Sequence, residues 1–115
     1  IVQIEHIDAV NNIEEIMGVE GVDGFIVGPY DLSGSLGFPG QFDHPKVQDA
    51  LLKVEKTSEK LNALSGYHVI SPDITPLQEK VKKWYCFVAH SIDILFLGEF
   101  CRNTVKNYKS ILPVI

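Results

Sequence analysis

Gly24-Phe25-Ile26-Val27-Gly28-Pro29-Tyr30-Asp31-Leu32-Ser33 is the stretch that decides how this chain folds. Its apolar run, 25–27, carries no charge and favours a buried strand. Gly28 and Pro29 end that strand, because proline has no backbone N–H and fixes its own φ angle. Asp31 is therefore expected just beyond the C-terminal end of the strand, and its carboxylate is the best candidate for a functional group.

A second stretch of the same form opens the chain. Ile1-Val2-Gln3-Ile4-Glu5 is an apolar strand whose end also carries a carboxylate. Divalent cations such as Mg²⁺ are bound through one or two protein carboxylates, with water and substrate oxygens completing the shell. Two strand ends that each carry one acid, Glu5 and Asp31, could therefore share one cation.

Composition excludes several classes of protein. The chain has 115 residues, 45% hydrophobic and 22% charged, without a polar linker, which predicts one structural unit over residues 1–115. No apolar stretch approaches the roughly 20 residues that span a bilayer, and no leader opens the chain. A net charge of −5, with Arg102 as the single arginine, offers no basic face for nucleic acid. We therefore expect a cytoplasmic protein with no membrane or nucleic-acid partner, and Cys86 and Cys101 as reduced thiols.

Strand-like and helix-like segments alternate along the chain. The predicted strands are Ile1–Glu5, Phe25–Val27, part of Ala63–Ile70 and Cys86–Ala89. The predicted helices are Ala9–Met17, Pro45–Leu61, Ile74–Trp84 and Glu99–Ile111, with a loop over Ser33–Gly40. His44-Pro45 marks the start of the longest helix, and Asp73 or Ser71 could cap the next one.

Four β-α units with buried strands predict an α/β fold, in which a parallel sheet is covered by helices. An open sheet and a segment of a (β/α)8 TIM barrel both fit this pattern. A complete barrel needs about 250 residues and eight strands, so the length favours a segment. We expect residues 1–115 to be the C-terminal half of a barrel whose N-terminal half is absent, with parallel strands and outer helices.

Several motifs resemble the HpcH/HpaI aldolase family of the phosphoenolpyruvate/pyruvate barrel superfamily. They are Gln3-Ile4-Glu5, Gly21-Val22-Asp23-Gly24, Gly28-Pro29-Tyr30-Asp31-Leu32-Ser33, Leu36-Gly37 and His44-Pro45. The resemblance covers nearly the whole chain and is strongest in the first half. Two positions depart from it, because Trp84-Tyr85 replaces an expected glycine and His6 replaces a small hydroxyl residue.

The resemblance implies a metal-dependent class II pyruvate aldolase. Glu5 and Asp31 would bind Mg²⁺ or Mn²⁺, with Co²⁺ and Zn²⁺ as alternatives. Gln3 and the main chain at Gly28, Tyr30 and Asp31 would hold pyruvate, and Ser33 would line the approach. The reaction implied is the reversible retro-aldol cleavage of a 4-hydroxy-2-oxo acid to pyruvate and an aldehyde.

The same resemblance implies that the chain is catalytically incomplete. The general-base histidine and the arginine of the family belong to the missing N-terminal half, so this half supplies no catalytic residue, and Arg102 cannot take that role. It also implies a homo-oligomer, a trimer or hexamer, that exchanges the helix Glu99–Ile111 between subunits.

Each residue also has a purely structural interpretation. Asp31 could shape a turn or cap a helix, Glu5 could be a solvated strand end, and Gln3 could face either the lumen or the helix layer. Among the histidines only His68, near the end of the third strand, is a candidate for the substrate pocket. Two other functions stay open: a citrate-lyase-type or macrophomate-synthase-like enzyme that forms an enolate, and a non-catalytic half-barrel that serves binding or assembly.

Overall fold

The structure, a computed structural model, describes residues 1–83 and 85–111. Its strands are β1 (Val2–Ile4), β2 (Gly24–Val27), β3 (Leu64–Val69) and β4 (Phe87–His90). Its helices are α1 (Ile7–Asn11), α2 (Ile13–Met17), α3 (Pro29–Ser35), α4 (Pro45–Leu61), α5 (Ile74–Lys82) and α6 (Asp93–Ile111). Each connection between successive strands contains at least one helix, as parallel neighbours require.

The four strands form one parallel sheet in the order β1-β2-β3-β4. The register pairs Ile4 with Val27, and Val27 with Tyr67. These pairings confirm the predicted α/β fold with a parallel sheet. They also place the C-terminal ends of β1 and β2, where Glu5 and Asp31 follow, at the same edge.

The hydrophobic core lies between one face of the sheet and the helices. Sheet residues Ile4, Phe25 and Val27 are fully buried there against Leu32 of α3 and Val54 of α4. Side chains of a strand alternate between the two faces of a sheet. This outer face therefore takes every second residue, and the residues between them must point to the other side.

The opposite face presents two rows of residues across the sheet. One row is Gln3, Ile26, Gly66 and Phe87, and the next follows from Glu5 through Gly28 to His68 and Ala89. A Cβ built at Gly66 would overlap the Phe87 ring, which therefore lies directly over the glycine. In a closed (β/α)8 barrel this face lines the lumen.

Two predicted segments are wrong in detail in the first half. The single helix over residues 9–17 is split into α1 and α2, because Asn12 adopts φ −111° and ψ 18°, outside helical geometry. The predicted loop over 33–40 begins too early, because α3 continues to Ser35. Pro29 occupies the first turn of α3, where its missing N–H costs nothing, so the residue that ends the strand also starts a helix.

The second half holds one more correction. Helix α6 begins at Asp93 and not at Glu99, since the Leu95 and Phe96 amides already donate to the Ile92 carbonyl, both at 3.1 Å. Helix α5 ends at Lys82, and the predicted end at residue 84 lies outside the described residues.

The predicted starts of α4 and α5 are confirmed. Helix α4 spans Pro45–Leu61 as expected, and the Lys46 amide donates to Nδ1 of His44 at 3.3 Å. Asp73 caps α5, because its Oδ1 atom accepts from the Thr75 amide at 2.7 Å. That bond lowers the pKa of the Asp73 carboxyl, since it favours the ionised form.

Helix α6 presents apolar side chains to solvent. Ile94, Leu97 and Phe100 are each at least 65% exposed. Over residues 1–83 and 85–111, no helix combines the length and apolar character that crossing a bilayer requires. Both cysteines, Cys86 and Cys101, are free and exposed.

Candidate metal and substrate site

Gln3 and Glu5 converge on the main chain of Gly28. The Gly28 amide donates to the Ile4 carbonyl at 3.0 Å, which extends the ladder one step past β2. A Cβ built at Gly28 would stand 3.2 Å from Nε2 of Gln3 and 3.2 Å from Oε2 of Glu5. The amide and the carboxylate therefore lie directly beside Gly28, in space that any other residue type would partly fill.

Asp31 lies in the first turn of α3, three residues after Gly28. A carboxylate in a first helical turn is favoured by the helix dipole, so the position is electrostatically compatible with an ionised side chain. The residue is exposed, whereas Glu5 is half-buried. The structure thus places both predicted metal ligands at one edge of the sheet, on the neighbouring strand exits of β1 and β2.

Ser33 is fully buried and has hydrogen-bond partners within the protein. Its hydroxyl donates to the Tyr30 carbonyl at 2.6 Å and accepts from the Gly40 amide at 2.9 Å. Its carbonyl accepts from the Phe38 amide at 2.8 Å. Ser33 therefore holds the loop after α3 against the first helical turn, and a direct contact between Ser33 and substrate stays a prediction.

Tyr30 lies in the first turn of α3. Its side chain is 50% exposed, and a Cβ built at Gly40 would meet the ring at 3.4 Å. The sequence assigned Tyr30 to substrate binding through its main-chain N–H, which lies in the first turn of α3. First-turn amides have no partner within their own helix, so this N–H is of the right type to receive an anionic group.

His68 lies in the same row of the sheet as Gly28, next to Ala89 of β4. Its Nε2 atom is 3.1 Å from the Ser91 carbonyl, which can only accept, so Nε2 carries the hydrogen of this bond. Ser91 has a left-handed backbone (φ 54°), with its amide 2.6 Å from the Val69 carbonyl and its hydroxyl 3.0 Å from the Ile70 carbonyl. Sequence reasoning missed Ser91, because these partners lie more than twenty residues away in the chain.

The donor set suits a hard divalent cation. Glu5 and Asp31 offer carboxylate oxygens, which Mg²⁺ and Mn²⁺ prefer, and Gly28 leaves open space beside the Glu5 carboxylate. Within residues 1–83 and 85–111 no three or more His, Cys, Asp or Glu side chains are grouped for metal binding. A site with two protein carboxylates leaves the remaining positions of an octahedral ion to water and substrate oxygens.

A polar cluster on the outer side of the sheet was also missed. Glu55 of α4 is 2.7 Å from Nζ of Lys83 and accepts from the Tyr85 hydroxyl at 3.1 Å. Burial raises the pKa of Tyr67 and of Tyr85, with the Glu55 charge adding to both shifts.

A cavity of about 420 Å³ adjoins this cluster and reaches Pro29 and His68 at the edge of the sheet. The Nζ atom of Lys80 lies 4.1 Å from the centre of the Tyr67 ring, and burial lowers the pKa of Lys80. The contact is a cation–π interaction, which supports the packing of α5 on β3.

Comparisons with known proteins agree with the resemblance. The family model described as HpcH/HpaI aldolase/citrate lyase matches residues 1–98. A hydroxypyruvate/pyruvate aldolase from Sagittula stellata is 42% identical over 93 residues, covering 81% of this chain and 36% of the relative. A 2-keto-3-deoxy-L-rhamnonate aldolase from Escherichia coli is 32% identical over 111 residues, covering 96% of this chain and 40% of the relative.

Solved structures show the same fold. The crystal structure of an HpcH/HpaI aldolase from Desulfitobacterium hafniense superposes with a TM-score of 0.84 at 35% identity, covering 96% of this chain and 42% of that one. The chain therefore spans about 40% of the length of the relatives it matches. The prediction of a part of a TIM-barrel-type protein is confirmed.

Proposed function

Because this chain belongs to the HpcH/HpaI aldolase/citrate lyase family, we propose that it forms the metal and pyruvate site of a class II aldolase. The reaction is the reversible cleavage of a 4-hydroxy-2-oxo acid to pyruvate and an aldehyde. The names of the two aldolase relatives, one acting on hydroxypyruvate and pyruvate and one on a 2-keto-3-deoxy acid, support a 2-oxo acid as substrate.

The observation that carries the proposal is the convergence of Gln3 and Glu5 on Gly28, with Asp31 in the helical turn that follows. Glu5 and Asp31 hold the divalent cation, Mg²⁺ or Mn²⁺, with Co²⁺ and Zn²⁺ as alternatives. A bound cation of this kind supplies Lewis-acid polarisation of the 2-oxo acid.

The other residues of the site bind and orient the substrate. The Gln3 amide and the N–H groups of Tyr30 and Asp31 donate to the carboxylate and ketone oxygens of the pyruvate moiety. Gly28 keeps the space beside the Glu5 carboxylate open for these oxygens, and Ser33 keeps the Tyr30 turn in position. The histidine that takes the proton from the 4-hydroxyl group, and the arginine beside it, come from outside this chain.

We also propose that this chain is one part of a complete barrel. On the lumen-side face of the sheet, Leu64 and Phe87 are 53% and 37% exposed. We assign residues 1–115, as one unit, to the C-terminal half of a longer cytoplasmic protein that forms a trimer or hexamer.

A second candidate function uses the same metal and pyruvate site, but the enolate reacts with a different electrophile. The matching family model includes citrate lyase in its description, so an enolate-forming lyase that acts on another carbonyl partner is the alternative. Steady-state assays of the full-length protein with pyruvate and a panel of aldehydes separate the two. Cleavage of a 4-hydroxy-2-oxo acid supports the aldolase, and its absence in a protein that exchanges the methyl protons of pyruvate supports the other lyase.

The decisive test is Asp31→Asn in the full-length protein, with Asp49→Asn, an exposed acid on α4, as the matched control. Titration calorimetry with Mn²⁺ should show weaker binding for Asp31→Asn and wild-type binding for Asp49→Asn. Aldol cleavage should stop in chelator and return with Mn²⁺. Wild-type Mn²⁺ affinity in Asp31→Asn would overturn the metal site. Chelator-resistant activity, with borohydride trapping pyruvate on a lysine, would instead show Schiff-base chemistry.

A further inference from the structure

One hydroxyl group connects the chain segment that follows Glu5 with the helix that contains Asp31. Ser35 is the last residue of α3, and its Oγ atom accepts a hydrogen bond from the Ile7 amide at 3.0 Å. The same oxygen donates to the Leu32 carbonyl at 2.8 Å. The Ser35 hydroxyl therefore makes one hydrogen bond within α3 and one to the first residue of α1.

Both partners of Ser35 are close in sequence to a carboxylate of the site. Ile7 lies two residues after Glu5 and begins α1, and its amide is one of the first-turn N–H groups that have no partner within their own helix. Ser35 lies four residues after Asp31 in α3, about one helical turn along. Beyond the sheet ladder, this hydrogen bond directly joins the two segments that carry the predicted metal ligands.

We propose that Ser35 is a positioning residue that sets the spacing between the Glu5 and Asp31 carboxylates. It contacts neither the cation nor the substrate, and it acts through the main chain on either side. The inference rests on the proposed function, because the spacing matters only if the two carboxylates share one ion. Mg²⁺ requires oxygen ligands at 2.0–2.1 Å in near-octahedral geometry, so a small shift between the two segments weakens binding.

A purely structural role makes a different prediction. If Ser35 served only as a cap for α1, its loss would lower stability and leave cation affinity unchanged in the folded protein. Ser58 provides the comparison, since it is buried and its hydroxyl donates to the Ala63 carbonyl at 3.5 Å, at the end of the strands opposite to the site. Ser58→Ala should therefore lower stability alone.

The test measures Mn²⁺ binding by titration calorimetry and thermal unfolding in chelator, both on the full-length protein. Ser35→Ala should bind Mn²⁺ about tenfold more weakly, the lower end of the effect of removing groups that orient metal ligands. Ser35→Thr, which keeps the hydroxyl, should restore most of the affinity. Ser58→Ala should bind Mn²⁺ as the wild type does.

A second route removes the donor in place of the acceptor. Ile7→Pro deletes the N–H at the first position of α1, where proline is tolerated, and His6 before it is already extended (φ −132°, ψ 147°). Its effect on Mn²⁺ affinity should not add to that of Ser35→Ala in the double variant, because both remove the same bond. This cycle keeps the proposal testable if one single variant folds poorly.

The outcomes separate the two proposals. If Asp31→Asn weakens Mn²⁺ binding and Ser35→Ala does not, the positioning role is wrong and the metal site stands. If Ser35→Ala and Ser58→Ala lose stability equally and both keep full affinity, Ser35 is a cap only. If the wild type binds no divalent cation, the metal site itself fails.

Discussion

Gly28 lies against the carboxylate of Glu5, so that a Cβ at position 28 would stand 3.1 Å from the Glu5 Cβ and 3.2 Å from its Oε2 atom. Such distances are tighter than ordinary van der Waals contact, so the neighbouring side chain would have to move. The nearest groups that would move are the Gln3 amide and the Glu5 carboxylate. A small side chain at this position should therefore disturb the site more than it disturbs the fold.

Gly28→Ala in the full-length protein should weaken Mn²⁺ binding and raise the KM for the 2-oxo acid, with a loss of stability below about 2 kcal/mol. Gly34→Ala is the matched control, because a Cβ built there meets no other described part of the chain within 4 Å outside its own helix backbone, and α3 continues through it. That change should be neutral or stabilise by up to about 1 kcal/mol. Titration calorimetry and thermal melts check both. Equal Mn²⁺ affinity in the two variants would contradict the assigned role of Gly28.

Ser33→Ala should cost about 1–3 kcal/mol of unfolding free energy, because it removes the two hydrogen bonds that the buried Ser33 hydroxyl makes with the Tyr30 carbonyl and the Gly40 amide. The loop after α3 should then exchange its amide hydrogens faster, most clearly at Gly40. Hydrogen exchange with mass spectrometry measures this, and the peptide covering the centre of α4 serves as the internal reference. Unchanged exchange at Gly40 would show that the loop is held by other contacts.

Stability should fall in alkaline solution, and Tyr85 should account for part of the fall. Its folded pKa is raised by burial, and Glu55 adds to the shift, so the stability it contributes is full below pH 10 and is lost as pH rises above 10. Above pH 10 an unfolded tyrosine ionises while the folded one stays neutral, a slope of about 1.4 kcal/mol per pH unit. Denaturant titrations from pH 9 to 11 should show a shallower fall for Tyr85→Phe. An identical slope in both proteins would show that groups other than Tyr85 cause the loss of stability at high pH.

Residues 1–115 expressed alone should associate and should not cleave a 4-hydroxy-2-oxo acid. The sheet has two open edges at β1 and β4, and a closed barrel would pair both. Sedimentation should therefore show dimers or larger species. Adding the rest of the barrel in trans should restore some activity if the halves dock. A monodisperse monomer, or pyruvate release by the isolated chain, would contradict the half-barrel assignment.

Much of the fold could be predicted from local sequence, because its strongest signals are local. Gly28-Pro29 ended β2 where expected, and His44-Pro45 began α4 at the predicted residue. The break at Asn12 could not be predicted, since the apolar spacing is helical on both sides of it. The hydroxyl of Ser35 and the carbonyl of Ser91 were also missed, because their partners are set by tertiary packing and not by neighbours in the chain.

Because the Phe87 ring lies over Gly66 on the neighbouring strand, the residue types that positions 66 and 87 can accept depend on each other. A side chain at position 66 would require either that the Phe87 ring move or that residue 87 be smaller, and a ring in its present position requires that residue 66 have no side chain. Homologues should therefore change the two positions together, exchanging which strand fills the lumen. A chimera that joins β3 from one homologue to β4 from another would fold well only if this pair were transferred as a unit.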